Sequence, residues 1–278
     1  MFDSLPALVR PLVIGLSIAA LLAALIEGVV LARLGRAYDW RAAIASLVIA
    51  IGRKLLDYLP IGLVLPGALW LNEHRLADIP MDRAWAWVAL FFGIEFCYYW
   101  FHRANHRMRL FWATHAVHHS PNELNLSAAY RLGWSGPLTL SLVFFAPLAW
   151  VGFPPAAVLA GFSLNLLYQF WIHAAWLPRL GPLEGILNTP SAHRVHHAAN
   201  REYLDANYGG VLIVFDRLFG TYVPERADIP CRYGLVDPLT TRNPFAILVH
   251  EWVRLARALA CASGLRARLS LIFGPPAR

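Results

Sequence analysis

The stretch "HRANHRMRLFWATHAVHH", His102 to His119, carries five histidines in eighteen positions, and "HRVHH", His193 to His197, carries three more. His102 and His106 are four apart, which puts them on one face of a helix. His115, His118 and His119 repeat at i, i+3, i+4, and His193, His196 and His197 copy that spacing. Adjacent residues on a helix differ by about 100°, so His118/His119 and His196/His197 address two ions better than one. Imidazole suits iron, zinc, copper and nickel, and eight or nine such ligands exceed what one ion takes. The pattern therefore predicts two metals. A lone histidine would read as a packing residue. Two HxxHH triplets with an HxxxH do not. His173, closing "NLLYQFWIH", is a further candidate ligand, whereas His74 and His250 read as ordinary surface histidines.

Glu95 is the candidate catalytic carboxylate. It sits in an apolar run seven residues before His102, where an ionisable side chain is costly and raises a functional question. Ligating imidazoles usually donate their second ring N–H to a carboxylate or carbonyl, and Glu95 could accept it. Pairing with a polar group of another apolar segment is the equal alternative.

These residues need elements to hold them. Of 278 residues, 58% are hydrophobic and 15% charged, against roughly 25% charged in soluble domains, so the composition indicates an integral membrane protein. About 20 apolar helical residues cross a bilayer. Candidate spans run from about Pro11 to Leu34, Leu55 to Leu71 and Ala84 to Phe101, with Ala42–Gly52 interfacial or re-entrant. The first is too long for the apolar core of a signal peptide and lacks a cleavage site. Leu132–Pro178 holds no Asp, Glu, Lys or Arg, and "GFPP" at Gly152–Pro155 divides it into a hairpin of two spans, Pro137–Trp171. "VLIVFDRLFGTYVPE" reads as a short amphipathic segment, and residues 241–278 as a C-terminal amphipathic helix of interfacial type. Cys97, Cys231 and Cys261 are scattered and suggest neither disulfides nor a zinc finger.

The net charge is +7, with Lys54 the only lysine. No basic stretch is organised to track phosphates, which argues against nucleic acid. Arg33, Arg36 and Arg41 follow the first span, and Arg103, Arg107 and Arg109 the third. The positive-inside rule places both segments in the cytoplasm, and all the candidate ligands then fall on that face. The arginine bias with abundant alanine suggests a bacterial chain, and hence an inner membrane.

"FHRANH", "HAVHH" and "HRVHH", followed by "NYGGVLIVFDRLFGTY", resemble the sterol desaturase and fatty acid hydroxylase superfamily over roughly Glu95 to Pro238. "NLLYQFWIH" and "LGPLEGILNTPSAHRVHH" are most similar to its alkylglycerol monooxygenase branch. The resemblance implies a di-iron centre held by His102, His106, His115, His118, His119, His193, His196 and His197, with His173 beside them, and O₂ as co-substrate. It implies a lipid substrate from the membrane and, with no haem-binding segment recognisable, a separate electron donor. That branch has an acidic residue after its first histidine box and an extra histidine in its third, where this chain has Arg107 and Ala192. Those differences leave its ether-lipid substrate and tetrahydrobiopterin cofactor open.

The expected architecture is all-α: about 4–5 transmembrane helices with a cytoplasmic cap over a dimetal site. Residues 1–80 form an N-terminal membrane region and 81–240 the catalytic core. Lipid hydroxylation is the expected reaction. Desaturation on the same centre, a two-zinc hydrolase and a non-catalytic metal staple are the alternatives.

Overall fold

A computed structural model describes residues 9–56, 58–136, 139 and 141–276. Eleven α-helices occur among them, with no strand beyond isolated bridges such as Leu187–Leu212 and Ala198–Tyr233. Helix α1 spans Val9–Arg33, α2 Trp40–Leu56, α3 Tyr58–Glu73 and α4 Ala84–Arg107. Helix α5 (Arg109–His119) follows after one extended residue, Met108, and 3₁₀ turns form at Leu126–Tyr130 and Ser141–Phe145. Helices α6 (Ala146–Val151), α7 (Pro155–Trp171), α8 (Pro190–His196) and α9 (Val214–Leu218) precede the closing pair α10 (Pro244–Cys261) and α11 (Leu265–Phe273).

At 1.5 Å per residue the 24 residues of α4 extend about 36 Å, more than a bilayer core of about 30 Å. Among the described residues it is the one helix that is long and apolar enough to cross a membrane by length and composition. Its Leu90, Ile94, Cys97 and Tyr98 recur at helical spacing and pack against Leu148, Phe153 and Val158. The opposite face leaves Trp85, Val88, Phe92 and Phe96 exposed.

Three expected segments take a more definite form. Ala42–Gly52 is part of a helix that runs on through Arg53 and Lys54 to Leu56. Arg53 does not break it, because its guanidinium donates to the Gly133 carbonyl at 2.6 Å. The Pro137–Trp171 hairpin begins outside the described residues, and its first arm shows only Ser141–Val151 as 3₁₀ and α-helix. Those eleven residues rise about 19 Å, against about 30 Å for a bilayer core. The C-terminal amphipathic helix is two helices, because Gly264, at φ +84°, sits between them.

Helix α5 packs between α4 and α10 and is fixed at both ends. The Arg109 N–H donates to the Gly274 carbonyl at 2.8 Å. At the other end Arg131, only 3% exposed, donates to Ser120 Oγ, Ser46 Oγ and the Ala42 carbonyl at 2.8–3.1 Å. A cation at a helix C-terminus is favourable against the helix dipole, which accounts for a buried guanidinium bonded only to neutral oxygens. Glu27, the acid of α1, accepts the Leu126 N–H at 2.7 Å and the Trp176 indole N–H at 2.9 Å, tying α1 to both flanks of the histidine region.

The "GFPP" break makes a specific demand. Gly152 has φ +131°, and a Cβ there would lie 2.0 Å from the Ala77 carbonyl oxygen. Gly152→Ala is expected to cost on the order of 1–3 kcal/mol from backbone strain alone. Thermal melting of the purified protein in detergent should show a lower midpoint, and an unchanged one would mean the turn is not strained.

Candidate metal centre

Four elements bring nine histidines together. Helix α4 supplies His102 and His106, α5 supplies His115, His118 and His119, and the turn after α7 supplies His173. Helix α8 and its C-cap supply His193, His196 and His197. They sort into two groups whose ring nitrogens each lie within 4.8 Å of one another. The first holds His102, His106, His115, His119 and His196, and the second His118, His173, His193 and His197. Each adjacent pair, His118/His119 and His196/His197, divides between the groups, as the 100° step requires. The groups adjoin, with His119 and His197 stacked at a centroid distance of 4.4 Å.

The nitrogens converge in a metal-like way. His115 Nε2 lies 3.0 Å from His102 Nε2 and 3.2 Å from His119 Nε2. In the second group the His173–His118, His193–His173 and His197–His193 Nε2 separations are 3.3, 3.1 and 3.0 Å. Two imidazoles bound about 2.1 Å from one ion at right angles are about 3.0 Å apart, so these spacings fit donors sharing a centre. Burial, reinforced by the neighbouring imidazoles, holds His115, His119, His173, His193 and His197 well below the usual histidine range. Burial takes His118 down to about 4. These rings are therefore neutral at pH 7, the form that binds metal. An all-nitrogen set in two adjoining groups is consistent with a di-iron centre.

Backbone carbonyls orient the rings. His102 Nδ1 donates to the Tyr208 carbonyl at 2.9 Å, His196 Nδ1 to that of Ala206 at 3.0 Å, and His173 Nδ1 to that of Gln169 at 2.7 Å. Each such bond fixes the Nδ1–H tautomer and turns Nε2 toward the group.

Two of those carbonyls belong to the loop 206–212, which two carboxylates hold. Asp216 accepts the Tyr208 and Gly209 N–H groups at 2.7 and 2.8 Å and the Thr221 hydroxyl at 2.7 Å. Burial pushes its carboxyl up to about 6 against those hydrogen bonds. Glu95, 1% exposed, accepts the Val211 and Leu212 N–H groups at 2.9 and 2.7 Å and the Asn165 amide. Of the two readings of Glu95, the geometry matches pairing with a polar group of another apolar segment, Asn165 of α7, joined by bonds to the loop, and Glu95 is a positioning residue. It acts through the backbone that carries the Tyr208 carbonyl. Gly210 permits the approach, since a Cβ there would lie 2.1 Å from Asn165 Nδ2.

Sequence reasoning did not single out Asp216, Asn165 or Asn207. Asn207 links the Ala192 carbonyl, on α8, to the Val223 backbone at 2.8–3.0 Å. A single acid inside the apolar "VLIVFDRLF" was the available signal for Asp216. His74 is exposed and outside both groups. His250 is also outside them but is not a surface histidine: it is half-buried on α10, with Nδ1 2.6 Å from the Ile247 carbonyl. Arg107 pairs with Asp205 at 3.2 Å.

Elemental analysis should find about two ions per chain in the wild type and in His74→Ala. His118→Ala should lose the ion of the second group and His196→Ala that of the first. Equal loss from His74→Ala would contradict the grouping.

The loop makes a separate demand. Gly210→Ala displaces Asn165 from Glu95 and should weaken metal affinity about 10–100-fold, as outer-partner substitutions do. Glu95→Gln should fall in the same range. Wild-type affinity in both variants would show that the loop does not steer the ligands.

A family model for fatty acid hydroxylase matches residues 87–221, a window that contains all nine histidines, Glu95 and Asp216. The alkylglycerol monooxygenases of Xenopus tropicalis and Homo sapiens are each 42% identical over 208 residues, 75% of this chain and 46% of theirs. The ornithine lipid hydroxylase OlsE of Rhizobium tropici is 31% identical over 128 residues, 46% of this chain and 39% of that one. The chain spans less than half the length of the alkylglycerol monooxygenases it matches. No solved structure matches it.

Proposed function

This chain belongs to the fatty acid hydroxylase family, and we propose that it is an integral membrane oxygenase that hydroxylates a lipid at the cytoplasmic membrane face. The observation that carries this reading is the pair of adjoining groups of neutral, inward-turned imidazoles. Two irons held there would supply the O₂ chemistry that inserts one oxygen atom into an unactivated C–H bond. The first ion would be held by His102, His106, His115, His119 and His196, and the second by His118, His173, His193 and His197.

The protein's own residues do the rest. Loop 206–212 orients two of the ligands, and the buried packing around them keeps bulk solvent away, which protects a reactive species from side reactions. The exposed apolar faces support a membrane setting. Trp85, Val88, Phe92 and Phe96 of α4, Leu164 and Leu167 of α7, and Leu22, Leu25 and Ile26 of α1 are all exposed, more apolar surface than a soluble monomer shows. With Pro11–Leu34, Leu55–Leu71 and Ala84–Phe101 as successive spans of a bacterial inner membrane, the arginines after the first and third would put the histidines on the cytoplasmic side. Residues 81–240 would form the catalytic core, anchored by the region 1–80. The printed names of the relatives concern alkylglycerols and an ornithine lipid, which supports a lipid substrate here. Electrons would come from a separate donor.

Hydroxylation and desaturation both begin by removing hydrogen from carbon, and differ in whether oxygen then stays. Iron-loaded protein given a bacterial lipid extract, a reductant and ¹⁸O₂ should yield a lipid heavier by one labelled oxygen atom. A product lighter by two hydrogens and without label would make the reaction a desaturation. Metal-loaded protein that consumes no O₂ with any lipid fraction would overturn the oxygenase reading.

A further inference from the structure

Beside the first histidine group lies a cavity of about 40 Å³. A water needs roughly 10–15 Å³ on this measure, so it holds on the order of three. Its inner wall is His106, His119 and His196, and Glu251, Arg254 and Asp237 also line it. The polar residues form a ladder from solvent inward. The Asp237 side chain is 74% exposed and lies 3.1 Å from Arg254 Nη2, whose Nη1 donates at 3.0 Å to Glu251 Oε1. The Glu251 side chain is only 5% exposed. His250 Nε2 lies 3.9 Å from the same oxygen, and Asp205, paired with Arg107, lines the cavity from the loop before residue 206.

We propose that this cavity is the proton route of the centre, with Glu251 the carboxyl group that passes protons through its waters toward the first histidine group. The inference rests on the oxygenase reading, whose balance requires protons: R–H + O₂ + 2 e⁻ + 2 H⁺ → R–OH + H₂O. The O–O bond breaks, one oxygen enters the C–H bond, and the other leaves as water with both protons. A separate one-electron carrier supplies the electrons. The imidazoles turn their Nε2 atoms inward, while Glu95 and Asp216 are committed to backbone N–H groups. Arg254 cannot itself relay, since a guanidinium does not deprotonate in proteins. It holds the Glu251 carboxylate at the cavity. Glu251 lies on α10, beyond the residues 87–221 that the family model matches.

The test uses the full-length, iron-loaded protein and three variants. Glu251→Gln should keep its metals and its KM for lipid. Its kcat should fall about 10²-fold or more, the usual scale for a lost acid–base group, with a larger solvent deuterium isotope effect. Glu251→Asp should recover most of the rate. Azide, a water-soluble anion, should bind the metals of Glu251→Gln at the wild-type rate. It should enter Ala199→Leu, which fills the cavity, about tenfold more slowly. Wild-type kcat and isotope effect in metal-replete Glu251→Gln overturn the relay while leaving the oxygenase reading intact. If Glu251→Gln loses its metals, Ala199→Leu decides, and unchanged azide entry and kcat there overturn the route. Wild-type protein that inserts no oxygen overturns the oxygenase reading and the relay with it.

Discussion

Two buried carboxylates gripping one loop are the interaction on which the histidine centre depends. A carboxylate in an apolar setting has to find donors or give up its charge, and Glu95 and Asp216 find them in the backbone. Between them they accept the N–H groups of Tyr208, Gly209, Val211 and Leu212. That loop also presents the Ala206 and Tyr208 carbonyls to His196 and His102. The acids therefore set ring orientation without touching a ring. The Asn165–Gln169–Tyr98 chain extends the grip from α7 back to α4 at 2.7–2.8 Å. Hydrogen-bonded chains of this sort polarise one another and favour one arrangement.

Glu27 obeys the same logic on the other side of the centre. It too is an acid inside an apolar helix, and it too accepts a loop N–H, that of Leu126, together with the Trp176 indole. With Arg131 clamping the end of α5 to α2, each helix that carries or flanks a histidine is fastened by at least one charged side chain. The apolar contacts of α4, α6 and α7 are non-directional and set proximity. The charged groups set register.

The histidine spacing was enough to read off two groups and the division of each adjacent pair, because helical geometry converts sequence separation directly into angle. His173 was also legible, from its place at the end of an apolar segment. What spacing could not report was partnership across long separations. The bonds of Glu95 to Val211 and Leu212 cross 116 and 117 residues, and no local pattern encodes that. The same limit hid Asp216 within an apolar segment and gave His250 a surface position. The bond that Arg53 of α2 makes to the Gly133 carbonyl likewise crosses 80 residues.

The bond from His102 to the Tyr208 carbonyl spans 106 residues, and that separation has a consequence for how the protein is made. Synthesis proceeds from the N-terminus at about 5–20 residues per second. His102 is thus made several seconds before the residue that fixes its tautomer exists. In that interval the His102 imidazole can present either nitrogen, and a metal met then would find no preset polyhedron. Only when Asp216 has left the ribosome can the loop close on its carboxylates. Metal readiness is therefore timed by the ribosome, arriving late in the chain's birth however early its ligands appear.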